Sequence, residues 1–237
     1  MTDIPRIIAL IPARYHSKRF PGKLLQEIRG RSVLAHIWNT VSTLSDIDES
    51  AIVVDGKELY EEGNRIGANV LLSSEDYSCG TDRCIGAIQA FGKFDWMINV
   101  QADQPFLSPE ALRDFVHYLR KSEDILIASM MSVDVCRDAS PDTVKVSIDQ
   151  YGNARSFSRD LPPEGDFYRH IGVYAFSSKA VELLRNLSPT SNEKLHSLEQ
   201  LRWMDHNLPI RMFGVNDNSS SVDRPADIDK LKFSNDH

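Results

Sequence analysis

The chain has 237 residues, of which 41% are hydrophobic and 26% charged, which is typical of a globular protein with one large domain. Its formal net charge of −7 argues against non-specific binding to nucleic acid or membranes, and no apolar run approaches the length of a membrane span. The N-terminus lacks a signal-peptide pattern. The cysteines Cys79, Cys84 and Cys136 are odd in number and lack metal-site spacing, so we expect reduced thiols and a cytoplasmic location.

Short apolar runs alternate with helical patterns in the first half of the chain. The run at 7–11 is continuously apolar, which predicts a buried parallel strand. Further strands are predicted at 51–54, 69–72 and 96–100, and helices at 32–44, 59–66, 81–91 and from 109 onward. Ser32 and Ser108 are expected to be N-caps, the latter followed by Pro109 at the first helical position. This β-α-β-α order predicts an α/β fold with a doubly wound, mainly parallel sheet.

The second half of the chain is richer in strand patterns. Strands are predicted at 125–135, 143–148, 171–176 and 210–215, a hairpin turn at 149–154, a loop at 160–166, and helices at 178–187, 193–206 and 224–231. We therefore expect a single domain with a core at about 1–120. We also expect a smaller β-rich lobe at about 125–176. The chain would then return to the core over residues 177–237.

A basic loop follows the first predicted strand. It carries Arg14, Lys18, Arg19 and Lys23. In an open α/β sheet, ligands bind beyond the carboxyl ends of the strands, and clustered cations on a short turn suit a polyphosphate. The spacing is not that of a Walker loop, because leucines follow Lys23 where Ser or Thr is required. On an acidic chain, this loop predicts a site for a small anionic ligand.

Two carboxylates lie beside predicted ligand loops. Asp103 comes just after the strand at 96–100, a position suited to Mg²⁺, although it could instead cap the turn before Pro105. Asp223 precedes the last helix, where it could be either a metal ligand or an N-cap.

Three further segments give weak signals on their own. The helix opening at Gly80 and Thr81 suits an anion or a base edge, or is an ordinary cap by Thr81. A lone histidine such as His170 at the start of a strand is more often structural than functional. The segment 198–202 could be an amphipathic helix that exposes Glu199, Gln200 and Arg202.

Together and in this order, these motifs resemble the 3-deoxy-manno-octulosonate (Kdo) cytidylyltransferases, also called CMP-Kdo synthetases, from residue 7 to about 231. The matching blocks are Ile11-Pro12-Ala13-Arg14, Ser17, Arg19-Phe20-Pro21-Gly22-Lys23, Gly80-Thr81-Asp82-Arg83, Asn99-Val100-Gln101 with Asp103 and Pro105, Val144-Lys145-Val146, Phe157-Ser158-Arg159, His170-Ile171-Gly172-Val173-Tyr174, Leu198-Glu199-Gln200-Leu201-Arg202, and Val222-Asp223 with Pro225. The opening block is common to sugar nucleotidyltransferases, whereas the His-x-Gly-x-Tyr and Leu-Glu-Gln-Leu-Arg blocks narrow the resemblance to the Kdo group.

The resemblance implies a nucleotide-diphospho-sugar transferase-like fold and a Mg²⁺-dependent homodimer. It implies transfer of CMP from CTP to the anomeric hydroxyl of Kdo, with release of pyrophosphate, for lipopolysaccharide or capsule synthesis. The implied catalytic residues are Arg14, Lys23 and Asp103, and the implied metal ligands are Asp103 and Asp223. The implied nucleotide-binding residues are Ala13, Arg14, Ser17, Lys23, Gly80, Thr81 and Arg83. The implied sugar-acid-binding residues are Gln101, Arg159, His170, Tyr174, Glu199 and Gln200.

The chain departs from the family pattern mainly around the acceptor. The departures are Val54, Ala102, Gln104, Ser156, His196 and Arg224. Ala102 replaces a glycine, and Gln104 replaces a charged residue. Two alternatives to Kdo cytidylyl transfer therefore stay open: a different acceptor (8-amino-Kdo, another 2-keto sugar acid or a phosphonate), or a non-catalytic nucleotide-binding relative. The retained phosphate and metal residues argue against the second.

Overall fold

The structure is a computed structural model that describes residues 4–17, 19–73, 77, 79–162 and 164–233. Its strands are β1 (Ile7–Ala13), β2 (Glu27–Ile28), β3 (Arg31–Ser32), β4 (Glu49–Val54), β5 (Val70–Leu72), β6 (Trp96–Val100), β7 (Ile127–Val135), β8 (Lys145–Ile148), β9 (Ala154–Ser158), β10 (Tyr168–Ser177) and β11 (Ile210–Val215). Its α-helices are α1 (Val33–Ser42), α2 (Lys57–Arg65), α3 (Gly80–Ala87), α4 (Pro109–Arg120), α5 (Ser178–Leu184), α6 (Ser191–His196), α7 (Gln200–Asp205) and α8 (Pro225–Phe233), with short 3₁₀ turns at Lys23–Leu25 and Ile88–Phe91. Across the described residues, every helix is too short or too polar to cross a bilayer.

One mainly parallel sheet organises the molecule, in the order β11-β7-β10-β6-β1-β4-β5. β1 pairs in parallel with β4 and β6, and only β10 along this path runs antiparallel to its neighbours. The predicted α/β fold with a mainly parallel sheet is thus confirmed. β7 and β10 belong to the main sheet, while β8 pairs with the beginning of β10 and β9 pairs with β8. The separate lobe at 125–176 and its role in a dimer stay predictions.

Helices cover both faces of the sheet, which explains why its central strands are continuously apolar. All seven residues of β1 are buried. Ile7 and Ile11 face a core that includes α1 and α4, whereas Ile8 and Leu10 face a core that includes Trp203 of α7. This division follows from the two-residue period of a strand. Because helices cover both faces of the sheet, a ligand has access at the carboxyl ends of the parallel strands, where the loops after β1, β4 and β6 meet.

The helix starts were predicted well, but two details were wrong. Ser32 and Ser108 cap α1 and α4 as expected, each accepting a hydrogen bond from a backbone amide three residues ahead. The residue that caps α3 is Cys79 rather than Thr81, since the Cys79 sulfur accepts from the amide of Asp82 at 3.5 Å. The helix predicted at 193–206 is two helices, because Ser197 adopts a left-handed conformation with φ of 53°.

Candidate active site

The loop after β1 folds back on itself and places Lys23 at the edge of the sheet. The carbonyl of Tyr15 accepts hydrogen bonds from the amides of Ser17 and Gly22, at 3.0 and 2.9 Å. Gly22 has a φ of 68°, a conformation that glycine adopts without steric cost and that turns the chain into the 3₁₀ turn beginning at Lys23. As a result the Lys23 side chain is only 10% exposed.

The Lys23 ammonium joins two carboxylates that are 120 positions apart in the sequence. Its Nζ lies 2.5 Å from Oδ2 of Asp103 and 3.7 Å from Oδ1 of Asp223. It also donates to the carbonyl of Val222 at 2.8 Å, and the Val222 amide donates to the carbonyl of Asp103 at 2.8 Å. The segment before α8 is therefore fastened to the end of β6, with both carboxylates around one cation.

Contacts at the start of α8 distinguish the two interpretations of Asp223. The Asp227 carboxylate accepts from the amides of Asp223 and Arg224, at 3.0 and 2.8 Å, and so caps this helix. The Asp223 carboxylate instead accepts from Arg19 at 2.5 Å and from the Ser221 hydroxyl at 3.1 Å. Asp223 thus belongs to the charged cluster at the sheet edge rather than to the helix cap.

The donor set at this edge suits magnesium. Within the described part of the chain, no group of three or more His, Cys, Asp and Glu side chains is placed to hold a metal ion. Mg²⁺, however, is usually held by one or two carboxylates together with substrate phosphates and water. Asp103 and Asp223 already surround a common cation in Lys23, so their charge and position fit such an ion.

Further cations surround this cluster. Arg19 contacts Asp142 at 2.6 Å in addition to Asp223, and Asp142 also contacts Arg224 at 3.1 Å. Arg14, directly after β1, is exposed and forms no hydrogen bond or ion pair with the described residues. Lys18, the remaining cation of the predicted loop, lies outside the described residues. Of the three cations of this loop that the structure describes, Arg14 is open to a ligand, and Arg19 and Lys23 are paired with carboxylates.

The beginning of α3 packs against the end of β1. A Cβ at Gly80 would lie 3.1 Å from Cγ of Pro12, so a side chain there would crowd the strand. Thr81 is buried, and its hydroxyl accepts from the Asn99 side chain at 2.9 Å. These contacts bring the predicted nucleotide-binding turn next to Ala13, the last residue of β1.

Buried Arg83 forms an ion pair with Asp55, a contact that the sequence analysis did not identify. Nη2 of Arg83 lies 3.6 Å from Oδ2 of Asp55, whose Oδ1 accepts from the Tyr15 amide at 3.0 Å. Nη1 of Arg83 is buried and has no partner among the described residues, so it can donate to a ligand. The position of Asp55, immediately after β4, is the sequence signal that could have indicated it.

Glu199 lies between the residues predicted for the nucleotide and those predicted for the sugar acid. Its Oε2 accepts from the Thr81 amide at 3.3 Å, and its Oε1 from the Gln101 side chain at 3.5 Å. Burial raises the pKa of the Glu199 carboxyl above its ordinary value. The carboxyl thus spans the two predicted halves of the site.

An aromatic and amide cluster lies next to Glu199. The Tyr174 hydroxyl donates to Oε1 of Gln200 at 3.2 Å, and the His170 ring lies 5.2 Å from the Tyr174 ring. Burial lowers the pKa of His170 to about 3, so its imidazole is neutral at physiological pH. Nε2 of Gln200 is buried and lacks a partner among the described residues. This cluster therefore offers uncharged polar groups to a ligand.

Arg202 forms ion pairs with side chains of two other helices. From the sequence, it was interpreted as part of an exposed helix face. That interpretation was wrong, because Gln200 and Arg202 are each only 2% exposed. The Arg202 guanidinium contacts both carboxylate oxygens of Glu193, at 2.8 and 2.7 Å, and those of Asp82, at 2.9 and 3.1 Å. It joins α6 and α7 to the first turn of α3. No local pattern pointed to Glu193, since its pairing depends on the break between α6 and α7.

Arg159 holds loops at the edge of the site. Its guanidinium donates to the carbonyls of Pro141 at 3.0 Å and of His196 and Ser197 at 3.4 Å each. These contacts connect the end of β9 with the break between α6 and α7. Arg159 thus lies beside the break that precedes Glu199, and it donates to these carbonyls rather than to His170 or Tyr174.

Comparisons with known proteins agree with this geometry. The model of the cytidylyltransferase family matches residues 8–210. A 3-deoxy-manno-octulosonate cytidylyltransferase from Synechococcus elongatus is 36% identical, over 95% of this chain and 96% of its own length. An 8-amino-3,8-dideoxy-manno-octulosonate cytidylyltransferase from Shewanella putrefaciens is 33% identical, over 95% of this chain and 97% of its own.

A solved structure resembles the whole chain. It is that of a CMP:2-keto-3-deoxy-manno-octonic acid synthetase complexed with CTP, and it superposes with a TM-score of 0.86 at 27% identity. The match covers 96% of this chain and 97% of the other.

Proposed function

Because the chain belongs to the family of 3-deoxy-manno-octulosonate cytidylyltransferases, we propose that it transfers CMP from CTP to the anomeric hydroxyl of Kdo and releases pyrophosphate. The observation that carries this proposal is the meeting of Lys23, Asp103 and Asp223 at the sheet edge. Cations and carboxylates gathered beyond the carboxyl ends of parallel strands suit a charged ligand that binds together with its counter-ion.

The proposed reaction is an in-line displacement at the α-phosphorus of CTP. The anomeric oxygen forms a bond to this phosphorus, the bond to the bridging oxygen of the pyrophosphate breaks, and the hydroxyl proton passes to solvent. Such a transfer depends on positioning and charge neutralisation more than on covalent help from the protein. Exposed Arg14 and buried Lys23 would neutralise the triphosphate, while Ser17 and the turn at Gly80 and Thr81 would hold the nucleotide.

Asp103 and Asp223 are the residues that would hold magnesium. When bound, Mg²⁺ would neutralise phosphate charge and favour departure of pyrophosphate. Lys23 satisfies both carboxylates in the absence of the ion, and binding of a triphosphate would give its ammonium a new anionic partner.

The acceptor would lie beside Gln101, Glu199 and the cluster of His170, Tyr174 and Gln200. These residues supply amide, hydroxyl and imidazole groups suited to a polyhydroxylated sugar acid, and Gln200 has a buried amide nitrogen that lacks a described partner. Glu199 also contacts the turn at Thr81, so one carboxyl borders both substrates in this proposal.

An amino-substituted acceptor is a second candidate. The 8-amino-3,8-dideoxy-manno-octulosonate enzyme from Shewanella putrefaciens is nearly as similar to this chain as the Kdo relatives are. The departures at Gln104, Ser156 and His196 lie near the proposed acceptor site: Gln104 lies beside Gly172, Ser156 precedes Phe157, which contacts His170, and His196 contacts Arg159. We further propose a cytoplasmic homodimer that serves lipopolysaccharide or capsule synthesis.

The test is pyrophosphate release from CTP with Mg²⁺ and a panel of acceptors: Kdo, 8-amino-Kdo, another 2-keto sugar acid and a phosphonate. We expect the highest kcat/KM with Kdo, and release that depends on both acceptor and Mg²⁺. A preference for 8-amino-Kdo would support the second candidate. CTP binding without release for any acceptor would contradict both and favour a non-catalytic nucleotide-binding protein.

A further inference from the structure

Strand β10 carries an irregularity at Gly172 and Val173, between His170 and Tyr174. Against β7, Ile171 pairs with Met130, and Tyr174 pairs with Ser129, so two residues of β10 are left out of register. A bulge of this kind frees backbone groups and redirects side chains, and bulges are common beside active sites. Beside this irregularity, the Val173 carbonyl accepts a hydrogen bond from the side chain of Ser129 in β7.

Ser129 is fully buried between two polar groups. Its Oγ lies 2.9 Å from the Val173 carbonyl oxygen and 2.9 Å from Nε2 of His170. A hydroxyl has one hydrogen to donate, and a carbonyl oxygen can only accept. If the hydrogen pointed to His170, two oxygen acceptors would face each other at 2.9 Å in a dry site. The arrangement is satisfied when Ser129 donates to Val173 and accepts from an N–H at Nε2 of His170.

The His170 ring is also held in its plane. The Phe157 ring meets the His170 ring edge-on, with 5.2 Å between their centroids. The Tyr174 ring also packs against it, tilted, with a centroid distance of 5.2 Å. The ring is neutral because burial disfavours its charged form. A neutral imidazole with its proton on Nε2 has a bare Nδ1, which can accept a hydrogen bond and cannot donate one.

We propose that Ser129 is a positioning residue that fixes the Nε2–H tautomer of His170, so that Nδ1 accepts a hydrogen bond from a hydroxyl of the acceptor sugar. This inference rests on the proposed function for its ligand, but the tautomer itself does not depend on it. It means that His170 selects a hydroxyl donor and does not pair with the carboxylate of the sugar acid. The preference of His170 for a hydroxyl donor would then depend on Ser129, a buried serine on the neighbouring strand β7.

The tautomer can be measured directly by ¹⁵N NMR of the histidine rings, with the His170 signals assigned by their loss in His170→Gln. In the wild-type protein we expect a protonated Nε2 and a bare Nδ1. A wild-type His170 protonated at Nδ1 would overturn the proposal, and this result needs no substrate to react.

Kinetics of Ser129→Ala then test the positioning role. We expect its KM for Kdo to rise about tenfold, the loss of one well-placed hydrogen bond, with KM for CTP unchanged and the His170 ring signals shifted. The matched control is Ser132→Ala, which removes another buried serine hydroxyl of β7 whose contact is with the Asp134 amide. An unchanged KM for Kdo in Ser129→Ala, or an equal rise in Ser132→Ala, would overturn the role.

Deoxy analogues of the acceptor identify the hydroxyl. One monodeoxy-Kdo should lose about tenfold in kcat/KM with the wild-type enzyme and little with Ser129→Ala, because the two changes remove the same hydrogen bond. Equal losses in both proteins for every analogue would contradict the link between Ser129 and the substrate. If no acceptor reacts at all, the proposed function fails while the NMR measurement still decides the tautomer.

Discussion

Replacing the buried His170 by glutamine is expected to make the protein less sensitive to acid. Burial, with a smaller contribution from the positive charge of Arg169, lowers the pKa of His170 from 6.5 to about 3 in the folded state. Between these two values the unfolded chain binds a proton that the folded chain excludes, so the free energy of unfolding rises with pH. It is highest above the unfolded pKa and is lost as the pH falls toward the folded pKa.

The magnitude follows from the two pKa values. Between about pH 7 and about pH 5 the unfolded histidine becomes almost fully protonated while the folded one stays neutral, which removes about 2 kcal/mol of stability. The assay is urea unfolding at both pH values for the wild type, for His170→Gln and for the control His196→Gln, which changes an exposed histidine. Wild type and control should lose about 2 kcal/mol more than His170→Gln on acidification. Equal losses in all three proteins would refute a buried, neutral His170.

Three further predictions concern the site and the residues that support it. Asp103→Asn and Asp223→Asn should each lower kcat about a hundredfold or more, with the melting temperature within a few degrees of wild type, and near-normal turnover would remove that residue from the site. Arg202→Met should lower the free energy of unfolding by about 3 kcal/mol or more in urea, because buried Glu193 loses its ion pair and half-buried Asp82 loses its contact with the same guanidinium; a loss below about 1 kcal/mol would contradict this. Gly172→Ala would place a Cβ 2.8 Å from a side-chain carbon of the proposed acceptor site and should raise KM for Kdo severalfold. Gly63→Ala, with a 2.6 Å clash far from the site, should lower the melting temperature while leaving KM unchanged.

The sheet was largely predictable because its central strands are buried on both faces. Such strands are mostly apolar, so the run at 96–100 was identified with the bounds that β6 has. The strand predicted at 210–215 also has the bounds of β11, although β11 lies at the edge of the sheet and is only partly buried. β10 begins earlier than predicted, at Tyr168, because its first residues pair with β8. That pairing is a long-range contact, and the local pattern of Tyr168 and Arg169 carries no sign of it.

The break between α6 and α7 could not be predicted for a related reason. The residues around Ser197 have an uninterrupted helical pattern, and only the φ of 53° at Ser197 divides it. The break allows Glu193 and Arg202, which would lie far apart on one straight helix, to form a two-point ion pair. Tertiary contacts thus overrode local helix propensity.

The ends of the predicted strands and the charged residues indicated where the site lies, but they did not indicate which site residues contact one another. The positions of Lys23, Asp103 and Asp223 beside predicted strands and loops suggested that they lie near one another, and they do. No sequence pattern indicated that Lys23 would contact both carboxylates. The partners of Asp55 and Ser129 were not predictable either, because these residues contact distant segments of the chain; for Asp55 the only sequence signal was its position after β4. The functional roles of all these residues stay predictions.

The most direct test of the proposed function follows the phosphorus atoms of CTP. With CTP labelled at the α-phosphorus, Kdo and Mg²⁺, the label should appear in a CMP–sugar acid product, and with CTP labelled at the γ-phosphorus it should appear only in pyrophosphate. Transfer of the γ label to the sugar acid, or retention of both labels in CTP for every acceptor, would contradict cytidylyl transfer.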